Sequence, residues 1–240
     1  MKKLLFTTVC LLSVTLLHAQ YVQSTPENST KSYYISADYG FGASAWNSDM
    51  KNTKLYDRYG AVIKTGDLQF KSQTSVRYQN LAVMIPVSDV VFGLGVNFEE
   101  HTMDKIEIKE SITKAGEVGA GELMFDQKFR LDKFYALIEV PFLEQNKLGV
   151  SAAFQARLGY FGYYGLDREN FFGEEQIANA YFGSIGATAT VKVMPRVYFY
   201  IHPKFEYNYF NNKSESSSSV THHIYTFAVA GGIRIDVGGK

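Results

Sequence analysis

From residue 33 onward, apolar side chains recur at every second position in eight separate segments. Side chains on a strand point alternately to opposite faces, so this period of two marks strands, and no segment carries a competing helical repeat. The first strand, roughly 33–45, sets Tyr33, Ile35, Ala37, Tyr39, Phe41 and Ala43 against Ser36, Asp38, Gly40, Gly42 and Ser44. The second ends in "NLAVMIPV", the third begins in "VVFGLGVNF" and the fourth ends in "FYALIEVPF". The fifth is "LGVSAAFQARLGY", and the sixth covers about 180–193. In the seventh, "VYFYIHPKFEYNYF", Val197, Phe199, Ile201, Pro203, Phe205, Tyr207 and Tyr209 oppose Tyr198, Tyr200, His202, Lys204, Glu206 and Asn208. The eighth, "IYTFAVAGGIRIDV", repeats the pattern.

Connections alternate in length. Three are short, near Pro86, near Glu144 and at Pro195, while four polar stretches at about 46–70, 104–122, 165–178 and 211–221 are long. Consecutive antiparallel strands reverse direction, so all the long connections fall at one end of the sheet.

Which face meets water decides the class. A soluble β-barrel or sandwich would bury the apolar face. Three features favour the inverse arrangement. The other face is rich in Gly, Ala and Ser, which suits a confined interior. The apolar face holds more Phe, Tyr, Leu and Ile than an eight-stranded interior has room for. Val197 to Tyr209 covers twelve rises of about 3.3 Å, so a tilt near 45° gives roughly 28 Å, close to the apolar band of about 25 Å expected of outer-membrane barrels. The expected fold is all-β, an eight-stranded antiparallel up-and-down transmembrane β-barrel. Its eighth strand must pair with the first, because an open edge in hydrocarbon leaves backbone groups unpaired. Pro203, which has no N–H, is expected at a bulge or a weak point of the ladder.

The paired "MIPV" and "IEVPF" segments, the signal ending "LHAQ", the final "GIRIDV" and the aromatic-rich alternation over residues 33–238 resemble the small outer-membrane β-barrel family, including OmpA/OmpX-type and PorT-like barrels. The resemblance implies the cell outer membrane of a Gram-negative envelope, short periplasmic turns and longer external loops. It is architectural, and such families share shape more than activity. The chain departs from it at its end, "DVGGK", where these barrels usually finish on an aromatic residue.

Composition refines this picture. "MKKLLFTTVCLLSVTLLHAQ" reads as a secretory signal peptide over residues 1–20, followed by a flexible periplasmic lead over 21–32 and the barrel over 33–240. Cys10, the only cysteine, follows Val9 rather than the small residue that a lipid-bearing cysteine requires, so lipidation is not expected. Lys plus Arg and Asp plus Glu number 24 each, which gives no electrostatic case for nucleic acid. The barrel is expected to be a monomer in outer-membrane lipid.

Candidate chemistry lies in two places. Asp38, Glu99, Glu139, Arg157, Lys192, His202, Lys204, Glu206, Arg234 and Asp236 fall on the inward face and predict a lumenal charge network, a paired polar plug. Counting back from the turns places Glu139 near Gly149 with Lys192 in reach, and Arg234 near Tyr198. In the first and third long loops, Trp46, Tyr56, Tyr59, Phe171 and Phe172 could contact a surface protein or glycan, the plainer reading being rim packing against headgroups. His222 and His223 neighbour a serine run, but adjacent strand residues face opposite ways and cannot share one site. No catalytic residues, metal ligands or cofactors are expected. The function so read is an envelope structural or surface-interaction protein; the alternatives are a narrow small-solute channel and a lipid-modifying enzyme.

Overall fold

The alternation continues well past the apolar segments, and each strand is longer than its hydrophobic stretch. In the computed structural model, which describes residues 33–56, 59, 62–110, 121–143, 149–165, 177–212 and 219–238, eight strands follow in order. They are β1 (Tyr34–Tyr56), β2 (Val62–Val87), β3 (Val90–Glu110), β4 (Gly121–Leu143), β5 (Val150–Gly165), β6 (Ile177–Met194), β7 (Val197–Asn212) and β8 (Ser219–Asp236). Each pairs antiparallel with its chain neighbours, and β8 pairs with β1 to close the ring. Closure leaves no strand edge, the condition for a sheet in hydrocarbon. The expected leader and lead, residues 1–32, lie outside the described residues.

The register fixes the geometry of the ring. A walk across paired residues runs Tyr34, Met84, Gly93, Leu137, Arg157, Ser184, Glu206 and Thr226 and returns to β1 at Ser44. The ladder has therefore climbed ten residues along β1 (44 − 34) in one circuit. With eight strands, that stagger tilts each strand about 40° from the axis. The short-turn rim is tied by backbone bonds, with Lys192 N–H donating to the Gly149 carbonyl (2.9 Å), Asp236 N–H to the Arg196 carbonyl (2.8 Å) and Val237 N–H to the Tyr33 carbonyl (2.7 Å).

Adjacent residues show the inversion directly. Leu158 is 71% exposed and Arg157 only 3%; Tyr39 is 52% exposed, while Asp38 is buried. The apolar face points outward and the charged face inward. Bulk is not confined to the outside, however. Trp46, Phe129, Leu131, Phe161, Phe182, Phe210 and Ile224 fill one lumenal cluster, so the small inward residues do not line the interior evenly. They house neighbouring rings instead: a side chain at Gly95 would collide with the Tyr135 ring, and one at Gly186 would meet His202.

The expected loop lengths are corrected. The loop expected at 46–70 is largely strand, because β1 runs to Tyr56 and β2 starts at Val62. The others shorten likewise, to the connections between Glu110 and Gly121, Gly165 and Ile177, and Asn212 and Ser219. Above the apolar band the outward face meets polar surroundings, so its run of apolar residues stops, while the inward face stays packed with Trp46 and Phe70 and the ladder continues. Pro203 also gains an account. It pairs with Val229 of β8, and the β6–β7 ladder skips from Gly186↔Lys204 to Ala189↔Ile201 without a shift of register. The proline therefore sits at a local gap in the pairing, not at a bulge.

At that gap an added Cβ on Gly186 would stand 2.5 Å from the Pro203 carbonyl oxygen and 2.6 Å from His202 Nε2, whereas one on Gly231 would meet open space. Gly186→Val is expected to lower stability by about 1–3 kcal/mol through overpacking, and Gly231→Val to leave it unchanged within about 0.5 kcal/mol. Urea unfolding in micelles, followed by the heat-modifiable gel shift of the folded barrel, checks both.

Candidate functional site

The lumen is the only place where the strands bring many ionisable side chains together among the described residues. Inward positions on neighbouring strands stack in layers along the axis. Nearest the short-turn rim, Glu139 of β4 accepts from both terminal nitrogens of Arg234 on β8, at 2.9 and 2.8 Å, in a bidentate pair. Gln155 Nε2 (3.0 Å) and Thr188 Oγ1 (3.3 Å) donate to the same carboxylate. Arg157 donates to Gln155 Oε1 at 2.6 Å and lies 3.0 Å from His202 Nδ1.

Above this, Asp38 Oδ2 accepts from Asn80 Nδ2 (2.8 Å) and from the Tyr200 hydroxyl (2.6 Å), while the Tyr135 hydroxyl donates to Asn80 Oδ1. Next comes a closed ring of four charges. Lys133 Nζ lies 2.5 Å from Glu99 Oε2 and also bonds Glu206 Oε1; Lys204 Nζ lies 3.1 Å from Glu99 Oε1 and 2.9 Å from Glu206 Oε2. All four side chains are fully buried, and they come from β3, β4 and β7. Asn97 and Asn208 donate to the two carboxylates, and the Lys204 ammonium stands 4.2 Å from the Tyr78 ring centre. Each charge therefore has several partners, as buried ions require.

Towards the other rim the lumen turns aromatic. His101 stacks on Phe129, Phe129 meets Trp46 edge-on at 4.3 Å, and Phe210 stacks on His222 at 4.2 Å. The Trp46 indole N–H donates to Ser48 Oγ at 2.8 Å, and Ser48 Oγ lies 2.7 Å from His222 Nδ1. This Ser–His contact is wholly buried beneath rings, which denies it the access to substrate that a nucleophile needs. His223 faces outward and meets the Tyr207 hydroxyl at 2.7 Å, so the two histidines do not share a site.

The buried acids are Asp38, Glu99, Glu139 and Glu206, and the buried bases Lys133, Arg157, Lys204 and Arg234. Four against four leaves no net charge among the described buried residues with the histidines neutral (4 − 4 = 0).

The structure places the inward residues Asp38, Glu99, Glu139, Arg157, His202, Lys204, Glu206 and Arg234 in the lumen. Two others lie elsewhere. Lys192 is exposed at the short-turn rim, and the register pairs Glu139 with Gln155 rather than Gly149. Counting from the turn fails because the β4–β5 ladder centres on position 147 rather than near Glu144, which moves the partner of Glu139 six residues along β5; the one-residue shift between Pro141 and Leu143 is a smaller irregularity. Asp236 is half-buried at the same rim. Arg234 does pair with Tyr198. Lys133, the centre of the charge ring, is absent from the expected set, although it stands six residues before Glu139 and so shares its face. Among the loop candidates, Trp46 is a correction: it is 1% exposed inside the lumen, on β1. Tyr56 ends β1, Tyr59 is 78% exposed in the connection that follows, and Phe171 and Phe172 lie outside the described residues.

Beyond the apolar band, β1 and β2 continue as a polar wall. Asn52, with φ 49°, sits where the β1–β2 register shifts. Its N–H donates to Asp67 Oδ1 at 3.0 Å, and Lys51 Nζ donates to Asp67 Oδ2 at 2.8 Å. The Lys51 bond, followed by the Asn52 N–H, holds the Asp67 carboxyl below its ordinary value. Among the described residues, no group of three or more His, Cys, Asp and Glu side chains could hold a metal ion.

No family model matches the chain, and no curated protein matches it. Solved structures do. The outer membrane protein OprG from Pseudomonas aeruginosa is similar with a TM-score of 0.53 and 9% identity, over 86% of this chain and 95% of that one. The outer membrane protease OmpT from Escherichia coli has a TM-score of 0.42 and 10% identity, with coverages of 85% and 96%. Ail, the attachment invasion locus protein of Yersinia pestis, solved with the heparin analogue sucrose octasulfate, has a TM-score of 0.31 and 15% identity, with coverages of 83% and 98%. The chain has the fold of the outer-membrane β-barrels, and its outward apolar face is the one a membrane requires.

Lys133→Ala is expected to destabilise the barrel by about 3–5 kcal/mol, because Glu99 and Glu206 would keep their charges with one counter-ion between them. Adding Glu206→Ala should restore part of that loss, a coupling that independent surface sites would not show. Trp46, the only tryptophan and buried in the lumen, reports unfolding by its fluorescence.

Proposed function

We propose that this chain is a non-enzymatic integral protein of the outer membrane with a sealed lumen, acting as an envelope structural or surface-interaction protein. The observation that carries the reading is the filled interior: a charge-balanced network spans the cross-section, and an aromatic cluster lies above it. A solute channel needs a continuous wetted path, and a conducting pore keeps unpaired groups along it. Here Glu99, Glu206, Lys133 and Lys204 pair with one another and Glu139 pairs with Arg234, while Asp38 and Arg157 are held by neutral neighbours. An enzyme reading needs a nucleophile or acid–base pair open to substrate, and the one Ser–His contact among the described residues is enclosed.

With the lumen closed, what the molecule offers to its surroundings is its two ends and its outer wall. The wall contacts lipid. The long-connection end, carried on strands that rise beyond the apolar band and bearing the exposed Tyr59, is the part that a surface protein or glycan would meet. Rigid strands beneath such a surface limit the entropy lost on binding.

Proteoliposomes holding the folded barrel should retain a trapped small sugar and a potassium gradient as long as protein-free vesicles do. Release that rises with the protein-to-lipid ratio would establish the channel reading instead. Lipid A of unchanged mass in deletion and parent strains is the matching expectation for the enzyme question, and an acyl-chain difference would reverse it.

A further inference from the structure

The outward face is not the same all round the ring. On β6, β7 and β8 the apolar run spans twelve residue steps, Tyr181 to Val193, Val197 to Tyr209 and Tyr225 to Val237, which is about 30 Å along the axis at this tilt. On β3 and β4 it spans eight, Val90 to Phe98 and Phe134 to Phe142, or about 20 Å. On β2 it spans only six, Leu81 to Val87, or about 15 Å.

Above these shortened runs the outward residues are polar and exposed: Gln79, Arg77 and Ser75 on β2, and Glu100 on β3. Arg77 and Glu100 each stand ten steps above the start of their runs, about 25 Å up, at the edge of the apolar band, and Gln79 lies inside it. Elsewhere that level carries Tyr160, Tyr181, Tyr207 and Tyr225, the interfacial girdle expected of such a barrel. The girdle is broken on one side.

The charges at the break are only partly satisfied. On β4, Asp132 is held by Arg130 at 2.7 Å. Arg77 and Glu100 are paired positions of the β2–β3 ladder, yet among the described residues neither has an ion-pair or hydrogen-bond partner. Polar side chains facing lipid favour association with whatever satisfies them.

We propose that the outward face of β2 and β3 is the contact of a homodimer, two copies related by a two-fold axis along the membrane normal. A two-fold contact is self-complementary, with residue i meeting residue j and j meeting i. Neighbouring strands place Arg77 and Glu100 within about 3 Å of the same height, so an axis between β2 and β3 sets Arg77 of each copy against Glu100 of the other. Both unpaired charges are then satisfied twice over. An anionic headgroup would answer Arg77 but be repelled by Glu100, so charge complementarity selects a second copy over a lipid phosphate. The thin apolar band on β2 is covered by the same contact, which relieves its mismatch with the bilayer.

The test is cross-linking in intact outer membranes. Cys10 is the only cysteine, so Gln79→Cys in a Cys10→Ser background gives a single thiol for a short bis-maleimide. Cross-linking at position 79 should give a species of twice the chain's mass, while Ile185→Cys on the opposite wall should give none. Arg77→Glu and Glu100→Arg should each reduce the yield about fivefold, and the double exchange should restore it. A heat-modifiable gel shift confirms that each variant is folded. No dimer from position 79 in the otherwise unaltered barrel, an adduct of another mass, equal yield at position 185, or a double exchange that stays defective in folded protein would each overturn the proposal.

Discussion

The ring formed by Glu99, Lys133, Glu206 and Lys204 is the interaction on which the interior depends. Its members come from strands on different parts of the wall, and each ammonium bridges both carboxylates, so no charge can leave without stranding the other three. Taking four ions from water costs several kcal/mol each, and that cost is met only because Asn97, Asn208, His101 and the Tyr78 ring complete their surroundings. The ring therefore specifies one register. A slip of a single residue on β3, β4 or β7 would carry a charge from the lumen to the lipid.

Hydrocarbon imposes the complementary condition outside. It offers no hydrogen bonds, so the sheet must close, and the stagger of ten residues over eight strands sets a width that side chains can just fill. Filling is achieved by matching large to small across the ladder, Tyr135 over Gly95 and His202 over Gly186. The gap in pairing beside Pro203 is tolerated at the same place, where the missing N–H coincides with a glycine that lets the backbones approach.

Much of this was legible in the sequence, for a physical reason: where lipid lies on one side and a packed lumen on the other, every second residue must change character. The faces of β7 and β8 follow from that rule alone. Where the rule lapses, reading fails. Trp46 sits on a stretch whose outward neighbours, Asn47 and Asp49, are polar because the strand has left the membrane, so it read as loop although its inward side is packed. Lys192 has the inward parity but stands too near the rim for the lumen to enclose it. Lys133 obeys the rule and could have been reached by stepping back in twos from Glu139. The bond of Glu139 to Arg234 could not, since it crosses between strands that no count along the chain relates.

With four buried acids matched by four buried bases among the described residues, the barrel turns its ends and its outer wall to its surroundings. Solid-state NMR on the protein in bilayers, recoupling lysine ¹⁵Nζ to glutamate ¹³Cδ, tests the central claim most directly. Lysine–glutamate contacts closer than about 4 Å that persist in high salt are predicted, because the pairs are shielded from counter-ions. Lysine nitrogens without a near carboxylate carbon, exchanging freely with water, would contradict it.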